Sequence, residues 1–162
     1  MKTIYLSLGS NSGDRLENLA RARDRLAAAD IHILRESYVY ETAPRDVPGQ
    51  PWFLNQVIEA ESPLLPRQLL SGLQKIEREM GRKRMVAKGP RIIDIDIVLF
   101  GESVISMSDL EIPHPRMMER RFVLEPLAEL APELRHPVLN RSVREMLAKV
   151  TDQQVRIFPG NR

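Results

Sequence analysis

Two aspartates separated by one residue, Asp94 and Asp96, carry the strongest chemical signal in this chain. They lie in GPRIIDIDIVLFG, residues 89–101, where Ile93, Ile95, Ile97 and Leu99 share one parity and the aspartates the other. Strand side chains alternate between faces, so the pattern predicts a core face and a face bearing paired acid. At ~3.3 Å of rise per residue the two Cα atoms stand roughly 6.5 Å apart. Both carboxylates can then serve one hard cation or a pair of them. Magnesium suits that description, because it takes oxygen ligands and shares them with phosphates. Salt bridges to nearby arginines would satisfy the same acids without metal.

The flank narrows the chemistry. Arg82, Lys83, Arg84, Lys88 and Arg91 place five cations within ten positions, in a segment with Gly81, Gly89 and Pro90 and little apolar periodicity. That composition reads as a basic loop. A basic loop leading into a diacid strand suits a nucleoside triphosphate, whose oxygens cations neutralise both directly and through bound metal. Net charge is only +2, from 24 basic and 22 acidic residues, so the basicity is local. It clusters at 82–91 and again at Arg116, Arg120 and Arg121, which favours a discrete phosphate site over an extended nucleic-acid track.

The elements that must position these groups follow from periodicity. Lys2–Ser10 alternates around Ile4, Leu6 and Leu8 as a first strand, and Asp14 can cap a helix running to about Ala29. Residues 31–42 and 52–60 read as two further strands, joined by the loop APRDVPGQP, which is expected to close over a ligand. A helix with an apolar stripe of Leu65, Leu69, Leu73, Ile76 and Met80 ends at Gly81, and the diacid strand follows. The order β, α, β, β, α, β is the split βαβ arrangement. The expected class is therefore α+β, a ferredoxin-like βαββαβ core with an antiparallel sheet, helices on one face, and C-terminal additions. Those additions are a short strand near 103–105, a helix over 115–121 or longer, a helix near 142–150, and a tail that pairs or stays loose.

At 162 residues, 43% hydrophobic and 28% charged, the chain fits one compact domain, 1–162. No apolar run nears the ~18 residues that span a bilayer, and the first residues lack a secretory pattern. The absence of cysteine rules out disulfides and thiolate metal sites and fits a reducing compartment. The expectation is a cytoplasmic monomer with small-molecule substrates and no membrane or nucleic-acid partner.

Six segments taken together, LGSNSGDR with NL (8–15, 18–19), ETAP (41–44), FLNQV (53–57), GRKR (81–84), GPRIIDIDIVLFG (89–101) and HPRMMERRFVLEPLAELAP (114–132), resemble the hydroxymethyl-dihydropterin pyrophosphokinase family of folate biosynthesis. The resemblance implies transfer of the pyrophosphoryl group of ATP to a pterin hydroxymethyl group, with release of AMP. It implies that Asp94 and Asp96 hold two Mg²⁺ ions and that Arg82 and Arg91 serve catalysis. Gln74, Glu77, Arg84, Ile97, His114 and Arg120 would meet ATP. Thr42, Ala43, Phe53, Asn55 and Phe122 would hold the pterin, the two phenylalanines by stacking. Two other classes remain open on the residues alone. A nucleotidyltransferase would use paired carboxylates at an α-phosphate, and a ferredoxin-like RNA-binding module would use aromatic stacking, although unmetallated acid repels a phosphate backbone.

Overall fold

The apolar alternation of the first segment sets the centre of the molecule. In the computed structural model, which describes residues 1–43, 51–81 and 91–159, Lys2–Ser10 forms strand β1 with Ile4, Leu6 and Leu8 fully buried on one face. Asp14 accepts the Glu17 N–H at 3.1 Å and caps helix α1, Arg15–Ala28, satisfying one of the donors a helix start leaves open. The expected extended stretch at 31–42 divides into β2, His32–Glu36, and β3, Tyr40–Thr42. Both pair with β4, Phe53–Ser62. Helix α2, Pro66–Glu79, opens with proline at its first turn and is followed by Gly81 at φ 91°, a left-handed conformation that glycine adopts without strain.

Strand β5, Asp94–Phe100, completes the predicted core. Beyond it come a hairpin, β6 at Ile105–Met107 with β7 at Leu110–Ile112, and one 3-10 turn at Met117–Glu119. Helices α3, Arg121–Leu130, and α4, Val143–Leu147, follow, and then a last strand, β8, Val155–Ile157. The helix expected from 115 to 121 or longer thus begins later. Arg120 is extended and separates the 3-10 turn from α3. No helix among the described residues is long and apolar enough to cross a membrane.

The main sheet is antiparallel in the order β5-β1-β4-β3-β8, with β2 also on β4. On one face α1 and α2 bury Leu19, Leu26, Leu69, Leu73 and Ile76 against Ile4, Leu6, Leu8 and Ile58. On the other face α3 and α4 pack Val123, Leu124, Leu127, Val143 and Met146 against Tyr5, Val57, Val98 and Leu99. The additions therefore cover a face the sequence left bare. One correction concerns parity in β5. Tyr5 pairs with Leu99 but Leu6 pairs with Ile97, so Val98 is an extra residue, a β-bulge. The bulge turns Leu99 away from Ile95 and Ile97 toward α3, while Phe100 joins the first core.

Candidate active site

Helices α3 and α4 seal only part of their face of the sheet. At the strand ends beyond Tyr5 and Val57, the residues of the same parity are Ser7 and Gly9 on β1, Asn55 and Phe53 on β4, and Asp96 and Asp94 on β5. Gly9 pairs with Asp94 on one side and Asn55 on the other, so a carboxylate, a glycine and an amide form one row across three strands. With strands about 4.8 Å apart, Asp94 and Asn55 stand roughly 10 Å from each other across that row. A Cβ on Gly9 would lie 3.0 Å from Asn55 Nδ2 and 3.7 Å from Phe53 Cδ1. Glycine thus keeps a slot open between the acids and the amide. A glycine near the close of an otherwise apolar strand is the signal in the sequence that marks this slot.

Each carboxylate has cationic company. Arg91 Nη1 donates to Asp94 Oδ2 at 2.6 Å. His114 Nε2 and Arg120 Nη1 both lie 3.9 Å from Asp96 Oδ2. The side chains of Asp94 and Asp96 keep 19% and 47% of their surface exposed, so both acids are open to a ligand. Burial, and then the guanidiniums of Arg120 and Arg116, push the His114 pKa down to about 4. Its Nδ1 accepts the Arg116 N–H at 3.1 Å, so the neutral ring carries its proton on Nε2, on the side facing Asp96. The His114 N–H donates to Val98 O at 3.0 Å, anchoring this segment at the bulge. Arg120 also lies over the Phe122 ring, 5.4 Å from its centre.

At the other end of the row, Thr42 Oγ1 donates to Asn55 Oδ1 at 2.6 Å, and both residues are buried. That bond orients the Asn55 amide and sets its nitrogen toward Gly9. Phe53 pairs with Thr42 and is half-buried, as is Phe122 in the first turn of α3. Ala43 follows Thr42, its N–H directed at Gln154 O, 3.5 Å away.

Gln74 and Glu77, one helical turn apart, have unlike surroundings. Gln74 is exposed, whereas Glu77 is buried and its Oε2 accepts the Ile95 N–H at 2.8 Å. Ile95 lies between the two aspartates on an edge strand, so Glu77 braces the backbone that carries them. Ile97 is buried in the first core. Arg82 and Arg84 lie outside the described residues, as does most of the loop expected to close over the site. Asn11, 1% exposed, was not singled out from sequence, yet it touches both segments that flank those stretches. Its Oδ1 accepts the Arg91 N–H at 2.7 Å, its own N–H donates to Arg91 O at 3.0 Å, and its Nδ2 reaches Pro51 O at 3.4 Å. An asparagine in an SNSGD turn looks like turn chemistry, which hides such a role.

Comparison with known proteins bears on this arrangement. The family described as 7,8-dihydro-6-hydroxymethylpterin-pyrophosphokinase matches residues 5–132. A 2-amino-4-hydroxy-6-hydroxymethyldihydropteridine pyrophosphokinase of Aquifex aeolicus is 41% identical over 145 residues, covering 90% of each chain. The folic acid synthesis protein fol1 of Pneumocystis carinii is 41% identical over 155 residues, which is 96% of this chain but 21% of that protein. The chain thus spans about a fifth of the length of such a relative. Among solved structures, the Plasmodium falciparum HPPK-DHPS crystal structure with SDX-DHP superposes with a TM-score of 0.72 at 18% identity. That likeness covers 92% of this chain and 43% of the other, and it supports the fold.

Proposed function

This chain belongs to the 7,8-dihydro-6-hydroxymethylpterin-pyrophosphokinase family, and on that premise we propose that it makes a pterin diphosphate for folate biosynthesis. The reaction moves the outer two phosphates of ATP onto the hydroxymethyl oxygen of 6-hydroxymethyl-7,8-dihydropterin and leaves AMP. The observation that carries this reading is the row Asp94, Gly9, Asn55, which puts acids suited to a phosphate-bound cation and an amide suited to a heterocycle edge on one open sheet face.

In this reading Asn55 and Thr42 hold the polar edge of the pterin beside Ala43, and Phe53 and Phe122 pack its faces. Arg91 and Arg120, with Arg82 and Arg84 by family resemblance, pair with phosphate oxygens through their planar forks. Neutral His114 can donate from Nε2 to an oxygen near Asp96 without adding charge. Gln74, Glu77 and Ile97 border the nucleotide at the β5 edge. Asp94 and Asp96 supply hard oxygen donors, both partly exposed. The set therefore fits a cation that shares its shell with phosphates. Two magnesium ions held there would neutralise phosphate oxygens and favour alignment of the hydroxyl with the β-phosphorus. We take residues 1–162 as one such domain, acting as a cytoplasmic monomer.

The test is to mix the protein with ATP, Mg²⁺ and the reduced pterin alcohol and to identify both products. AMP with pterin diphosphate supports the reading. Pyrophosphate in place of AMP marks nucleotidyl transfer and overturns it.

A further inference from the structure

The family match ends at residue 132, yet the last strand returns to the edge of the proposed pterin pocket. Strand β8 pairs with β3, setting Val155 opposite Thr42 and Arg156 opposite Glu41. Arg156 donates from Nε and Nη2 to Glu41 Oε1 at 3.1 and 2.8 Å, and its guanidinium lies 4.6 Å from the centre of the Trp52 ring. On the other side of Glu41, Arg15 Nη1 lies 3.5 Å from Oε2 and donates to the Trp52 carbonyl oxygen at 2.7 Å. The Arg15 guanidinium in turn lies 5.7 Å from the centre of the Phe158 ring.

One carboxylate, 14% exposed, therefore holds two guanidiniums, of which one grips the ring of Trp52 and the other its carbonyl. With both ends of Trp52 held, the peptide bond leading into Phe53 is held as well. Phe53 is the aromatic whose ring borders the Gly9 slot. Beside this latch lies a cavity of about 620 Å³ lined by Asn11, Arg15, Glu41, Pro51, Trp52 and Arg156, which gives an unrestrained indole room to swing.

We propose that Arg156 is a positioning residue for the pterin. It acts from the terminal strand through Trp52 to fix the Phe53 wall of the pocket. The proposal rests on the pterin-pocket reading above. Its contribution to folding is small, because the Arg156 side chain is 65% exposed and an exposed ion pair adds little to stability. Its contribution to binding arises because a cation stacked on an aromatic face restricts the ring.

The chain has one tryptophan, so its fluorescence reports this contact directly. In the full chain, R156A is expected to raise KM for the pterin about fivefold, with kcat and KM for ATP unchanged. The Trp52 emission should move to the red with little change in melting temperature, and R156K should recover part of both effects. An unchanged pterin KM in R156A, whatever the emission does, overturns the inference while leaving the pyrophosphokinase reading intact. A parallel loss of kcat, both KM values and melting temperature also overturns it, since that marks general damage. A wild-type protein that forms no AMP overturns the underlying reading and this inference with it.

Discussion

The two halves of one sheet face differ more than their shared strands would suggest. Near the β1 start, Tyr5, Val57, Val98 and Leu99 lie under α3 and α4 in a sealed apolar core. Two to four residues further along β1, and correspondingly on β4 and β5, that face carries Ser7, Gly9, Asn55, Asp94 and Asp96. The β1–β4 pairing keeps its register across the boundary, and the β1–β5 pairing shifts there only by the bulge at Val98, so the difference lies in side chains and in what covers them. A strand face presents either oil or polar groups according to which residues take its parity. Here β1 and β5 change at the paired Ser7 and Asp96, and β4, with Val57 opposite Ser7, changes one row later at Asn55. The sealed half gives rigidity to strand ends that must stay uncovered.

The largest expected effect falls on the open half alone. Replacing Asp94 and Asp96 together with asparagine is expected to lower AMP formation by about 10³-fold or more, since it removes groups proposed to hold charge at the reacting phosphates. Stability should change by no more than about 1 kcal/mol, because the Arg91 pair with Asp94 is partly exposed. Product assay and thermal melting on the same sample check both claims. Retained turnover would remove the metal assignment.

The converse variant lies across the boundary. Leu124, on α3, is fully buried, and Leu124→Ala is expected to cost about 3 kcal/mol of stability through lost burial and a residual cavity. Assayed well below its melting temperature, the variant should keep kcat within about twofold of wild type, as the strand register that positions the acids persists. Denaturant melts with parallel steady-state assays measure this. A large loss of kcat in folded protein would show that the two halves are not separable.

The contrast between halves also explains what the sequence disclosed. Asp94 and Asp96 were legible because charge interrupts an apolar strand at a period of two, the strongest signal a strand emits. The bulge was not legible, because IVLF is apolar at every position and a shift of parity there leaves no mark in the pattern. Leu99 was consequently assigned to the wrong face. Glu77 gave a surface-like signal, since a carboxylate satisfying one backbone N–H on a strand edge looks like any charged helix residue. The latch at Trp52 joins residues 15, 41, 52 and 156, and no local periodicity can report a contact assembled from four distant segments.

A smaller effect tests the slot between acids and amide. Gly9→Ala places a methyl 3.0 Å from Asn55 Nδ2, so the amide must shift by a few tenths of an ångström and its geometry toward a heterocycle is disturbed. Pterin affinity is expected to fall about tenfold, as when one hydrogen bond in a binding site is misaligned, while ATP affinity is retained. Titration calorimetry with a non-hydrolysable ATP analogue, followed by the pterin, separates the two. Equal weakening of both ligands would mean that Gly9 serves the sheet and not the slot.

The smallest effect belongs to the loop that closes the sealed half. His136 is 5% exposed, and its Nδ1 accepts the N–H groups of Val138 and Leu139 at 3.2 and 3.1 Å, which requires an unprotonated nitrogen. Burial pushes its pKa below 6.5. Folded protein therefore resists a proton that the unfolded chain accepts near its ordinary pKa, so stability is complete above about pH 6.5 and falls as pH drops below it. For one group the slope is at most about 1.4 kcal/mol per pH unit. Asparagine can offer an oxygen to the same N–H groups without titrating, so His136→Asn is expected to remove this group's share of the stability lost on acidification below about pH 6.5 and to leave the share of His114, whose pKa burial lowers as well. Turnover at neutral pH should be untouched, because the hydrogen bonds of His136 stay within the loop that joins α3 to α4. An unaltered acid profile in the variant would assign the sensitivity to another group and leave the sealed half without a titrating member.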